Sequence, residues 1–145
     1  MPKIGDAFAF KPPFGWEESR RGATWVYRGR GRELAISFWP LREKGSAKKK
    51  AAALAELMKA GLKAIERDLK NTNLRVTVPL SRVEENRLEF WIQSLSTRDG
   101  AALACSAIVR STLGILMASL EGPDERGSFP IFIEFLRSVR KAPAF

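Results

Sequence analysis

The apolar and polar positions form one long amphipathic stretch, from Ser46 to Asn71. Apolar side chains recur there at steps of three and four residues, which places them in one stripe along a helix of 3.6 residues per turn. The stripe consists of Leu54, Met58, Leu62, Ile65 and Leu69. Ser46 is a suitable N-cap and Asn71 a suitable end, so the pattern predicts a helix between them.

Short segments rich in β-branched and aromatic residues precede this helix and predict strands. Residues 23–28 and 33–39 are expected to form a hairpin, with residues 29–32 as its turn. Residues 7–10 predict a short edge strand, because Pro12 and Pro13 cannot sit inside a central strand. Phe14 and Trp16 are then expected to anchor this proline-rich turn on the core.

The segments after the helix predict an antiparallel meander. Residues 74–78 alternate cleanly and are expected to stop at Pro79, and residues 80–86 are expected to form a polar turn or, alternatively, a short strand. Three strands follow, over residues 87–96, 101–109 and 115–120, and Asp99-Gly100 is a strong signal for a hairpin between the first two. Ser128 is expected to cap a last helix over residues 129–140, with Pro130 in its first turn.

These elements predict one α+β domain over residues 1–145, an antiparallel β-sheet on which the long central helix and the C-terminal helix pack. The chain is long enough to fold without metal or disulfide support. Apolar runs of membrane-spanning length are absent, and the N-terminal residues lack the pattern of a secretory signal. Together with the single Cys105, these features predict a cytoplasmic protein.

The residue types argue against catalysis. The chain has no histidine and one cysteine, which removes histidine-based acid–base chemistry and the commonest zinc ligands. Its adjacent carboxylates, such as Glu84 and Glu85, fall on predicted loops. We therefore expect a protein that is not an enzyme and that uses no cofactor and no metal.

A net charge of +9 is the strongest compositional feature, and it favours anionic partners. The charge is distributed along the chain, so a well-hydrated surface is the simpler interpretation. The alternative is an anion site formed by Lys48, Lys49 and Lys50 at the start of the long helix, with Arg28 and Arg30. Its ligand would be nucleic acid or an acidic protein.

The chain contains, in order, the segments FKPPFGW (residues 10–16), LAISFWP (residues 34–40), the helix from Ser46, the meander LEFWIQ…AALACSAIV…GILMASL, and FIEFLRSVR (residues 132–140). Through these segments the order of elements resembles the PsbP/Mog-type α/β/α sandwich and, within it, the DcrB-like branch that includes the Eag adaptors of type VI secretion. For that family the resemblance implies a cytosolic homodimer that shields apolar helices of a secreted effector.

The strand pattern also indicates where a partner could bind. We expect the helices to cover one face of the sheet, over Leu34, Ile36, Phe38, Leu88, Phe90 and Ile92, and to leave the other face free. The free face would carry large aromatic side chains beside small ones, on which a helix could lie closely. This candidate partner-binding set is Trp25, Tyr27, Trp39, Trp91, Ala104, Ser106 and Ile108. The alternative is that these aromatics only seal the fold or a dimer.

Two functions follow from the sequence, whereas a third, an accessory subunit of an enzyme, has no sequence feature for or against it. The first is a non-enzymatic adaptor or chaperone that binds an apolar segment of a protein partner, such as a secretion effector. The second is a basic module that binds nucleic acid or an acidic protein. Because phosphate contacts release counterions, rising salt should weaken the second kind of binding steeply and the first hardly at all.

Overall fold

A seven-stranded antiparallel sheet occupies the centre of the computed structural model, which describes residues 2–70 and 74–142, without the side chains of residues 68–70. The strand order of this sheet is β3-β4-β5-β9-β8-β7-β6, and a second, three-stranded sheet has the order β1-β2-β10. The strands are β1 (Lys3–Ile4), β2 (Phe8–Ala9), β3 (Glu17–Arg21), β4 (Thr24–Gly29), β5 (Arg32–Pro40), β6 (Arg75–Glu85), β7 (Leu88–Ser96), β8 (Ala102–Ser111), β9 (Gly114–Pro123) and β10 (Arg140–Lys141). The helices are α1 (Ala47–Lys70) and α2 (Glu125–Ser138).

The predicted α+β class and the long helix are confirmed. In α1 the Ser46 hydroxyl accepts a hydrogen bond from the backbone N–H of Lys49 at 3.3 Å, as an N-cap does. Leu54, Met58 and Ile65 of the predicted stripe are buried. Asn71 and the side chain of Leu69 lie outside the described residues.

Helix α1 packs on one face of the large sheet. Leu54, Met58 and Ile65 form an apolar cluster with Ile108 of β8 and Ile115 of β9. The partly buried side chains around this cluster are Trp39, Leu41, Leu57, Leu62, Leu80, Trp91 and Met117. We call this side of the sheet the α1 face.

Helix α2 packs on the opposite face, together with the small sheet, and we call this side of the large sheet the α2 face. Phe132 and Phe135 of α2 join Phe8 and Phe10 of the N-terminal segment in a second apolar cluster. The sheet contributes its other set of side chains to this cluster, including Leu34, Ile36, Leu88, Phe90, Ala107 and Leu116. The expectation that both helices share one face, leaving the other free, is therefore wrong. Successive residues of a strand point to opposite faces, and in β8 and β9 both sets are apolar.

The strand that follows α1 in the chain, β6, is longer than predicted. Strand β6 does not stop at Pro79 but continues to Glu85. It lies at the edge of the sheet, and its pairing with β7 shifts register between Val76 and Val78 and again between Val78 and Ser81. A proline without an N–H is tolerated at such an irregular edge, because no neighbouring strand needs the missing donor.

Strand β3 and the start of helix α2 also differ from the prediction. Strand β3 was not expected, since its five residues EESRR lack the apolar alternation of a half-buried strand. Helix α2 begins at Glu125, three residues before the predicted cap Ser128. Ser128 is instead buried inside the helix, where its hydroxyl accepts a hydrogen bond from Arg32 Nε at 2.7 Å and donates to the carbonyl of Pro123.

Candidate protein-binding site

The strand register separates the predicted aromatic set. Trp25 pairs directly with Ile36, and Tyr27 pairs with Leu34, so both aromatics lie on the α2 face. Tyr27 is buried there, and its hydroxyl donates to Glu18 Oε1 at 2.7 Å. Burial and this carboxylate both raise the pKa of Tyr27. The placement of Trp25 and Tyr27 on one free surface with Trp39 and Trp91 is therefore wrong.

The other members of the set do share one face, the α1 face. Trp91 pairs with Ile108, and two residues along each strand Gln93 pairs with Ser106. Trp39, Trp91 and Ile108 belong to the cluster beneath α1, and Ile108 is fully buried. Ala104 and Ser106 remain half-exposed beyond this cluster. Trp39 and Trp91 are thus packed, partly buried, against the core cluster, and they do not form a free aromatic surface.

The predicted anion-binding residues do not meet. Arg28 lies near the end of β4 and Arg30 in the β4–β5 turn, and Arg28 Nη2 lies 2.8 Å from Glu33 Oε1. Lys48, Lys49 and Lys50 are exposed at the start of α1, which follows the opposite end of β5. Nine residues of β5 separate the two groups, a span of roughly 30 Å at about 3.3 Å per residue.

A groove that the sequence did not indicate lies between α2 and the proline-rich loop of residues 11–16. Its volume is about 380 Å³. The loop and α2 both contribute apolar side chains to it, and α2 also contributes Glu134 and Ser138. The lining residues are Lys11, Pro12, Pro13, Phe14, Trp16, Arg30, Ile131, Glu134, Phe135 and Ser138.

The loop is held firmly at its first end. Phe10 is fully buried and packs edge-on against Phe135 of α2, with ring centres 5.8 Å apart. The next residue, Lys11, donates its backbone N–H to the hydroxyl of Ser138 at 2.9 Å. That hydroxyl also donates to the carbonyl of Phe135 at 2.6 Å, which fixes its position at the end of α2.

A tight turn at the second end of the loop displays Phe14. The N–H of Trp16 bonds to the carbonyl of Pro13 at 3.4 Å, and Gly15 has φ of 79°, which only glycine adopts readily at this turn position. The indole of Trp16 lies on the backbone of Gly29, where a Cβ would come within 2.6 Å of the ring. Trp16 therefore anchors the turn as predicted, whereas Phe14 is fully exposed and the expectation that it packs on the core is wrong.

Basic residues outnumber acidic ones among the charged side chains of the groove. Lys11 and Arg30 line it, and Glu134 is its acidic member. A neighbouring hollow shares Lys11, Glu134 and Ser138 and adds Arg137 and Arg140. An acidic ligand segment would therefore meet four cations and one carboxylate here.

Structural contacts explain the shifted pKa values of Cys105 and Glu33. Burial raises the pKa of the Cys105 thiol to about 12, so it is a poor nucleophile at neutral pH. Partial burial would raise the pKa of Glu33, but hydrogen bonds from Arg28 and Arg21 outweigh it and hold the pKa below its ordinary value. In the part of the chain that the structure describes, no three carboxylate or thiol side chains gather closely enough to hold a metal ion. Nor does any helix there have the length and apolar character needed to cross a membrane.

Comparisons with known proteins give the fold alone. No family model matches the chain, and no curated protein matches it. A solved structure from Bacteroides thetaiotaomicron VPI-5482 superposes with a TM-score of 0.57 at 14% identity, over 97% of this chain. This chain spans 47% of that protein, about half its length. LpqN of Mycobacterium tuberculosis, described as involved in cell envelope biogenesis, superposes with a TM-score of 0.50 at 12% identity, over 94% of this chain and 83% of LpqN.

Proposed function

We propose that this domain is a non-enzymatic binding protein that holds an apolar, acid-flanked segment of a partner protein in the groove beside α2. The observation that carries this proposal is the fully exposed Phe14, presented by a tight turn next to an open groove. A large aromatic side chain left in water costs free energy that a bound partner would recover, and such residues often dominate protein interfaces.

The layering supports the adaptor class. Helix α1, the large sheet and α2 stack in three layers, which is the arrangement of an α/β/α sandwich such as the PsbP/Mog type. By this resemblance the domain acts as a DcrB-like adaptor that shields an apolar segment of a secreted effector in the cytoplasm. The partner segment lies beside the proline-rich loop and not across the sheet, because α1 occupies the sheet position expected for it.

Peptide binding tests this function. The probe is a fluorescently labelled helical peptide with a leucine stripe and glutamate-rich ends, titrated with the full chain and followed by fluorescence anisotropy. Phe14→Ser should weaken binding at least tenfold, as the loss of a central aromatic contact worth about 2 kcal/mol would do. Leu113→Ser is the matched control, since Leu113 is also an exposed apolar residue but lies in the β8–β9 turn.

Two results contradict the proposal. One is the absence of saturable binding by the unaltered chain, and the other is an equal loss of affinity in the Phe14 and Leu113 variants. A peptide with lysine-rich ends serves as a charge control and should bind more weakly, because Lys11 and Arg30 lie beside the groove.

The second candidate is binding to nucleic acid, which the net charge of +9 and the exposed Lys48, Lys49 and Lys50 favour. A labelled DNA duplex should then bind with an affinity that falls steeply as salt rises. Changing all three lysines to glutamine should reduce that salt dependence. Peptide binding through the groove should change little in the same variant.

A further inference from the structure

Strand β3 is an open edge of the large sheet. It is the terminal strand of the order β3-β4-β5-β9-β8-β7-β6, and β4 is the only described strand that pairs with it. All five of its residues, Glu17–Arg21, are exposed, so no other described segment covers its outer side. An uncovered edge strand presents backbone N–H and C=O groups that can pair with another strand.

The charges of β3 are arranged symmetrically about its centre. The strand reads Glu-Glu-Ser-Arg-Arg, with Ser19 in the middle, two carboxylates before it and two guanidinium groups after it. When two copies pair antiparallel with Ser19 opposite Ser19, each Glu17 faces the partner's Arg21. Each Glu18 likewise faces the partner's Arg20. Opposite charges placed directly across an antiparallel pair stabilise it, and like charges destabilise it.

The two faces of the sheet are compatible with this register. Glu18 and Arg20 lie on the α2 face, opposite Tyr27 and Trp25, whereas Glu17 and Arg21 point to the α1 face. A two-fold axis perpendicular to the sheet keeps each face on its own side, so all four charge pairs form between side chains of the same face. An isologous contact of this kind closes as a dimer.

Contacts within the chain already order the side chains of β3. The guanidinium of Arg20 lies 3.7 Å from the ring centre of Trp25, and Glu18 accepts the hydrogen bond of Tyr27. Arg21 Nη2 lies 2.6 Å from Glu33 Oε1. Ordered side chains lose less conformational entropy on association than free ones.

The opposite edge strand of the sheet, β6, has features that β3 lacks. Strand β6 contains Pro79 and two register shifts, features that protect an edge from pairing with another chain. Strand β3 has neither a proline nor a register shift against β4. Charged side chains alone can also protect an edge, but protection does not require the exact inversion of sign about Ser19.

We propose that β3 is the interface of a homodimer, in which two copies pair antiparallel about Ser19 and join their large sheets into one of fourteen strands. This interface is separate from the groove beside α2, and it stands whether or not the groove binds a partner segment. Five residues a side make a small contact, so the dimer should form in the range of about 10–100 μM and weaken with salt.

Charge exchange tests the pairing by analytical ultracentrifugation. The all-acidic strand (Arg20→Glu with Arg21→Glu) and the all-basic strand (Glu17→Arg with Glu18→Arg) should each be monomeric, because like charges then face one another. Mixing the two variants should give a heterodimer, and the fourfold exchange that reverses the strand to Arg-Arg-Ser-Glu-Glu should restore the homodimer. A monomeric unaltered chain at about 100 μM and low salt overturns the proposal, as does a mixture that stays monomeric.

A cysteine cross-link tests the register. Ser19→Cys places two thiols across the two-fold axis at the separation of paired strands, about 4.5–5.5 Å between Cα atoms, which a disulfide can span. Oxidation should give a covalent dimer through the two introduced thiols. The chain's own Cys105 is buried and should not take part in the cross-link. Val83→Cys on the exposed outer strand β6 is the control and should remain monomeric. Equal cross-linking of the two variants overturns the assigned interface.

Discussion

At the scale of single residues, Gly61 shows how closely α1 approaches the sheet. A Cβ built at this position would come within 3.0 Å of the Cδ1 atoms of both Ile108 and Ile115, and within 3.4 Å of Met117 Sδ. Glycine lowers the intrinsic stability of a helix by about 1 kcal/mol relative to alanine. Close packing on the α1 face is the structural reason to accept that cost here.

We predict that Gly61→Leu destabilises the protein by about 1–3 kcal/mol, because its side chain must push α1 away from β8 and β9. The free energy of unfolding from urea denaturation measures the effect. Ala60→Leu is the matched control, since Ala60 is exposed on the same turn and leucine is also a good helix former. Equal stabilities of the two variants would contradict the packing described for Gly61.

At the scale of the element, the start of α1 combines a good cap with unfavourable charge. Ser46 caps the helix, yet Lys48, Lys49 and Lys50 follow in its first turns, where the helix dipole favours negative charge. No acidic residue occupies the first turn. The sequence alone indicated this conflict. All three lysines are exposed in the structure, so no described acidic side chain covers them.

We predict that Lys49→Glu stabilises the protein by about 0.5–1 kcal/mol, because it replaces an unfavourable charge and completes a Ser-x-x-Glu capping box with Ser46. Thermal unfolding at low salt measures the gain, which should shrink as salt rises. Lys59→Glu makes the same change of charge in the middle of α1 and should have a much smaller effect. A stabilisation of equal size at both positions would contradict the capping explanation.

At the scale of the whole molecule, the three-layer arrangement assigns opposite roles to exposed and covered aromatics. Trp39 and Trp91 contribute to the cluster beneath α1, whereas Phe14 contacts solvent. We predict that Trp91→Ser destabilises the protein by about 3 kcal/mol, because it leaves a cavity between α1 and β7. Trp39→Ser should act in the same direction.

Phe14→Ser provides the comparison, and its stability should lie within about 0.5 kcal/mol of the unaltered chain, as for other exposed positions. Urea denaturation of the three variants separates the two roles. If the tryptophan variants were as stable as the Phe14 variant, α1 would not pack over the α1 face as described. The same series tests the sequence-based prediction that Trp39 and Trp91 serve binding and not folding.

Local patterns in the sequence determined the elements with strong periodicity. The stripe from Leu54 to Ile65 specified α1, and the alternation around Trp91 and between Ala102 and Val109 specified β7 and β8. The same patterns failed for β3, because a fully exposed edge strand needs no apolar alternation and its charges resemble a loop. At Pro79 the local pattern predicted the end of a strand, but the strand continues. A proline is acceptable there only because β6 lies at the edge of the sheet.

What the sequence by itself determined is the α+β class, most of the helix and strand positions, and the basic charge, because these depend on neighbours along the chain. The tertiary structure alone decided which face each helix covers and which aromatics meet. Trp25 joins Ile36 only through the register that the β4–β5 turn fixes, and a shift of one residue would move it to the other face. The exposure of Phe14 likewise depends on how its loop is held. Phe10 packs on Phe135 and the Trp16 indole on Gly29, and both are contacts between separate segments of the chain.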